Sequence, residues 1–123
     1  MNHDFVEMWS ALSDAGADYL LVGAHALAAY GRPRATGHLD IWVRSTPDNA
    51  RRVWSALQGF GAPLDVITVD DLSTPDLVFQ IGVSPSRIDL LTSMSSVEFD
   101  DTWPNRLTIT VFGLRIPTIG KTT

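Results

Sequence analysis

The chain has 123 residues, 45% hydrophobic and 19% charged, and nine basic against fourteen acidic residues give a formal net charge of −5. That length fits a single domain spanning 1–123, and the apolar fraction is too high for a disordered chain. The acidic balance argues against extended DNA or RNA binding through phosphates, while a small phosphorylated ligand needs only a local basic pocket. In chain order, apolar spacing predicts a helix from Asp4 to Ala15, with Phe5, Trp9 and Leu12 on one face and Gly16 as its stop. Asp18 to Val22 reads as a short buried strand ending at Gly23. His25 to Tyr30 is Ala-rich and predicts a helix closed by Gly31, and Arg32 to Gly37 is a loop with Pro and Gly punctuation. A second strand is expected from Leu39 to Arg44.

Ser45-Thr46-Pro47-Asp48 is a helix start, with a hydroxyl cap, Pro at the first helical position and a carboxylate in the first turn. Ala50, Val53, Trp54, Leu57 and Phe60 follow at helical spacing, and Gly61 ends the element. Leu64 to Thr74 is read as a strand followed by a short acidic helix at Val69 to Leu72. Leu77 to Gly82 and Arg87 to Thr92 read as strands, Val97 to Trp103 as a short helix, and Leu107 to Phe112 with Leu114 to Ile119 as a hairpin. Two or three helices with five or six strands in this order predict an α/β (α+β) domain, one mixed sheet with helices packed against it. Several strand connections are too short for helical crossovers, so the sheet is not purely parallel.

The most apolar stretch, Tyr19 to Tyr30, is far shorter than the roughly twenty residues a membrane helix needs, and the N-terminus carries no signal-like pattern. A cytoplasmic protein without membrane contact is expected. Cysteine is absent, which excludes disulfides, thiolate metal sites and cysteine nucleophiles. The spacing of His3, His25 and His38 matches no recognised zinc pattern.

One constellation carries chemistry. Gly23 and Ala24 follow the first strand; after thirteen intervening residues His38-Leu39-Asp40-Ile41 opens the second; and Ile88-Asp89-Leu90 places another carboxylate inside an apolar strand. Strands disfavour Asp, and a carboxylate on a buried strand needs Arg, backbone N–H groups or a metal ion beside it. The period of two puts residues 38 and 40 on one sheet face, so His38, Asp40 and Asp89 could converge on a divalent cation. The structural alternative pairs Asp40 and Asp89 with Arg34, Arg44 or Arg87. Arg32 and Arg34, in the loop before the Asp40 strand, are candidate phosphate contacts, whereas Arg51 and Arg52 diverge on a helix and read as a solvated face. Trp9, Trp42, Trp54 and Trp103 are expected to be core and rim residues.

In these segments the chain resembles the minimal nucleotidyltransferases of the DNA polymerase β superfamily. That family carries a Gly-Gly or Gly-Ser pair after the first strand, then Asp-x-Asp, and later a lone Asp within an apolar strand. The resemblance runs from Tyr19 to Gly31, through Arg32 to Thr36, Leu39 to Val43 and the helix near Asn49 to Gly61, to Arg87-Ile88-Asp89-Leu90-Leu91. It implies metal-dependent transfer of a nucleoside monophosphate from a nucleoside triphosphate to an acceptor such as a small molecule, a tRNA end or a protein hydroxyl. It also implies a divalent metal, Mg²⁺ or Mn²⁺, on Asp40, Asp89 and the residue at position 38, with nucleotide contacts at Gly23, Ala24, Arg32 and Arg34.

Two positions depart from the family pattern. Ala24 replaces the second Gly or Ser, leaving close backbone approach to Gly23. His38 replaces the first carboxylate, and imidazole suits Mg²⁺ poorly and Mn²⁺ better. These departures support an alternative reading, a catalytically inactive binding module of the same fold that takes a nucleotide or a protein partner, as in toxin–antitoxin pairs. Relatives continue past the strand resembling Leu114 to Ile119 into a Lys-containing helical segment. The expectation here is either a truncated sequence or a bare core lacking that segment, the latter with its apolar face covered in a homodimer.

Overall fold

A computed structural model describes residues 3–22, 38–83, 86–111 and 113–119. The predicted helix at His25 to Tyr30 and the loop Arg32 to Gly37 lie outside them.

Helix α1 (His3–Asp14) places Phe5, Met8, Trp9 and Leu12 on one buried face, with Asp4 in its first turn. Helix α2 (Pro47–Phe60) begins at Thr46, whose side chain accepts a hydrogen bond from the Asn49 backbone, and Pro47 occupies the first position. Both helices end on a glycine in the left-handed region, Gly16 at φ 71° and Gly61 at φ 89°. The next N–H closes each terminus, Ala17 N to Leu12 O at 3.0 Å and Ala62 N to Leu57 O at 3.1 Å. A side chain at either glycine would be strained in that conformation.

The strands are β1 (Tyr19–Val22), β2 (His38–Val43), β3 (Val78–Ile81), β4 (Arg87–Leu91), β5 (Leu107–Val111) and β6 (Leu114–Thr118). They form one six-stranded sheet in the order β3-β4-β2-β1-β6-β5. β2 runs parallel to β4, and β1 parallel to β6; the other neighbours are antiparallel. The sheet is therefore mixed, as the short connections require. A one-turn helix α3 (Phe99–Thr102) continues into a 3₁₀ turn at Trp103–Asn105.

Strand alternation divides the core. Tyr19, Leu21, Leu39, Ile41, Val43, Ile88 and Leu90 face α1 and α2 in the larger cluster. Leu20, Val22 and Trp42 face the other way and meet Phe99. Among the described residues, the two long helices thus cover one face and the short α3 segment packs on the second.

The stretch from Leu64 to Thr74 departs from expectation. It contains no strand, and its only helical element is a 3₁₀ turn at Asp71–Ser73. Thr68 N donates to Asp71 Oδ2 at 2.9 Å, and Asp71 N donates to Thr68 Oγ1 at 3.2 Å. This reciprocal local bonding satisfies the backbone without a ladder, and Val66 remains 72% exposed. No helix among the described residues is long and apolar enough to cross a membrane.

Tyr19 gives the fold an alkaline limit. Burial pushes its phenol above the ordinary value of 10.0, with the Ser13 hydroxyl acting against that shift. Below this value the phenol is protonated in folded and unfolded chains alike; above it the unfolded chain ionises first, so stability falls as pH rises toward the folded value. Denaturation profiles from about pH 9 to about pH 11 are expected to show this loss in the wild type and a smaller one in Tyr19→Phe.

Candidate functional site

The parallel pairing of β2 with β4 aligns Asp40 with Asp89 as register partners. Partners on neighbouring strands have backbones about 4.8 Å apart and side chains on the same face. Both carboxylates therefore stand together on the face opposite α1 and α2. Val22, the residue before Gly23, is the β1 partner of Asp40, so the chain leaves β1 directly beside that carboxylate. Gly23, Ala24, Arg32 and Arg34 lie outside the described residues. His38 begins β2 as the register partner of Arg87, and its side chain lies outside the description.

Asp89 is 6% exposed, and a carboxylate that deep requires a cationic or N–H partner. Arg87 provides it. Two residues apart on one strand, the two side chains share a face, and the guanidinium grips both oxygens: Nε to Oδ1 at 3.1 Å and Nη2 to Oδ2 at 2.8 Å. This fork is the planar bidentate geometry for which Arg is suited. Hydrogen bonding to Asp89 is the main reason the Arg87 pKa lies above its ordinary value; burial opposes it, and the charges of Asp89 and Asp40 add to it. Asp40 is thus within electrostatic reach of the same guanidinium. Of the three arginines considered as partners, Arg44 is committed elsewhere. Its Nε donates to Asp18 Oδ2 at 2.9 Å, it pairs with Asp100, and its guanidinium lies 4.7 Å from the Phe99 ring centroid. Arg51 and Arg52 are exposed, as expected of a solvated face.

Two neighbours of the carboxylates were not singled out from sequence. Gln80 on edge strand β3 is the register partner of Asp89 and is exposed. The alternation Val78-Phe79-Gln80-Ile81 carries that signal, because Phe79 and Ile81 are buried and Gln80 takes the opposite face. One step further along the strands, Trp42 aligns with Leu91 and Leu20. Trp42 helps line an open cavity of about 530 Å³ with Ser45, Thr92, Met94, Glu98 and Phe99. It begins two residues from Asp40, about 7 Å along the strand.

The donor set can be tested against a dication. A divalent ion of the Mg²⁺ kind needs several oxygen ligands with free lone pairs. Here both Asp89 oxygens already accept from Arg87, and among the described residues no group of three His, Cys, Asp or Glu side chains comes together as a metal site. With the Arg87 charge against Asp89 and no third ligand beside the pair among the described residues, the two carboxylates as they stand do not fit a dication.

Family models and curated protein sequences give no match to this chain. Among solved structures, it is similar to the crystal structure of a candidate nucleotidyltransferase from Thermotoga maritima, with a TM-score of 0.64 and 10% sequence identity. The match covers 94% of this chain and 74% of that one. At this identity the likeness is one of fold: the mixed sheet backed by helices is shared with that structure.

Proposed function

We propose that the chain is a nucleotidyltransferase-like protein that binds a nucleoside triphosphate over the Asp40–Asp89 face and transfers the nucleoside monophosphate to an acceptor hydroxyl. The observation that carries this reading is the side-by-side placement of two carboxylates on parallel β2 and β4, on the face opposite the long helices. In such a transfer the acceptor oxygen forms a bond to the α-phosphorus, pyrophosphate leaves, and the hydroxyl proton needs a base. Asp40, less buried than Asp89 and next to the point where the chain leaves β1, is assigned that role. The open cavity beginning at Trp42 gives the ligand or acceptor room beside it. Positioning and charge neutralisation are the main requirements of phosphoryl-type chemistry.

A second reading, a non-catalytic module of the same fold, is favoured by one observation, the Arg87 fork on Asp89. Calorimetric titration of each nucleoside triphosphate, with Mn²⁺ and with chelator, separates the two. For the transferase, binding is expected to require the divalent ion and to weaken at least tenfold in Asp40→Asn. Equal affinity with and without metal would establish the module instead, and no nucleotide binding at all would remove the transferase and leave only the module with a protein partner.

A further inference from the structure

We propose that Arg87 and a divalent cation compete for Asp89, so that the guanidinium is a resident counter-ion which must leave before a dication can settle on the carboxylate pair. This inference rests on reading Asp40 and Asp89 as the carboxylates of the site. Three observations carry it. Arg87 engages both Asp89 oxygens, at 3.1 and 2.8 Å, so a positive charge already lies against that carboxylate and one lone pair of each oxygen is taken. The Asp89 side chain is 8% exposed while that of Arg87 is 39% exposed. The carboxylate is therefore fixed in the sheet, and the guanidinium has solvent into which a rotamer change can carry it. Finally, Asp40 is the register partner of Asp89 across β2 and β4, so the guanidinium on Asp89 lies beside the same pair of carboxylates that would hold a metal.

Buried Asp89 cannot stand uncompensated, so any exchange is one cation for another. With Arg87 in place the two carboxylates and the guanidinium sum to −1. With a dication in its place the carboxylates are neutralised, and Arg87 is released as a cation beside them. Occupancy by metal would then present an extra positive charge to an anionic ligand, and loss of metal would withdraw it. Exchange needs no loop movement, because donor and acceptor are two residues apart on one strand.

Mn²⁺ alone is the probe, with free ion measured by electron paramagnetic resonance and melting temperature recorded with and without it. Wild type, Arg87→Gln, and Arg87→Gln combined with Asp89→Asn are compared. Arg87→Gln is expected to bind Mn²⁺ at least tenfold more tightly than wild type and to gain more melting temperature from it. The added Asp89→Asn should cancel both gains. Equal Mn²⁺ affinity in wild type and Arg87→Gln overturns the proposal, as does a gain that survives Asp89→Asn. If Arg87→Gln does not fold, Arg87→Lys serves: it keeps the charge but gives up the fork, so a smaller gain supports the competition and an unchanged affinity overturns it. The transfer reading fails separately. A wild type that binds no nucleoside triphosphate, beside an Arg87→Gln chain that gains Mn²⁺, removes the transferase and leaves the cation competition standing.

Discussion

Asn49→Ala is expected to lower the unfolding free energy by about 2–4 kcal/mol, although the residue touches neither carboxylate. Asn49 is 1% exposed on the first turn of α2. Its Oδ1 accepts from Asp18 N at 2.7 Å, and its Nδ2 donates to Asp18 O and Arg44 O, each at 2.9 Å. The side chain thus ties the entry to β1 to the exit from β2, the strand pair that carries Asp40. Truncation strands one N–H and weakens the bonding of two carbonyls, and stranded polar groups account for most of the expected loss. Asn49→Asp tests the assignment more sharply. It keeps an acceptor for Asp18 N but turns an oxygen toward the two carbonyls, so it should be no better than Ala. Urea denaturation is expected to show a lower midpoint with an unchanged slope. A change below about 0.5 kcal/mol, the usual range for a surface position, would remove Asn49 from this role.

This node shows where sequence reading reaches its limit. The segment Ser45 to Asp48 announces the helix through local chemistry, and α2 begins where those residues place it. The role of Asn49 depends instead on a partner thirty-one residues earlier, and nothing local distinguishes it from a solvated residue of the first turn. The same contrast explains Leu64 to Thr74. Its apolar residues suggested a strand, but a strand needs a free sheet edge, and that requirement is set by how the whole chain winds. Periodic segments such as α1, β2, β4 and the β5–β6 hairpin were legible because burial on one face writes a repeating pattern into the sequence.

At the site, Asp40 and Asp89 stood out because each interrupts an apolar strand. Their convergence was expected from the shared apolar-Asp-apolar context and is met in the β2–β4 pairing, while the exact register between strands separated by a helix is a tertiary property that spacing does not give. Arg87 could be named only as one of three partners for the carboxylates. The geometry selects it for Asp89 by proximity along β4, while Arg44 is drawn away by Asp18, Asp100 and the Phe99 ring. The choice matters chemically. An arginine on Asp89 makes the pair a site already holding a cation, which spacing alone does not reveal.

Trp42→Ala is expected to have the largest effect of any single change on the open face. The indole is 1% exposed and meets Phe99 edge-on, with ring centroids 5.0 Å apart. Phe99 in turn stacks on Trp103 at 5.3 Å, and Arg106 lies 3.9 Å over the Trp103 ring. Helix α3 has only four residues, far too few to be stable without tertiary packing. Its place against the sheet therefore depends on this aromatic series, which begins at Trp42. Removing a buried Trp costs about 3–5 kcal/mol, which for a domain of this size lowers the melting temperature by roughly 10–20 °C. Hydrogen exchange should speed up first at residues 99–105, before the β1–β2 ladder, because the short helix loses its main packing partner. Trp42→Phe should recover much of the loss by keeping a ring against Phe99. Since Trp42 is two residues from Asp40 on the same strand face, nucleotide binding should weaken in Trp42→Ala well below its melting point. Uniform protection across α3 in Trp42→Ala would show that the segment is held by Arg44 and its acidic partners instead.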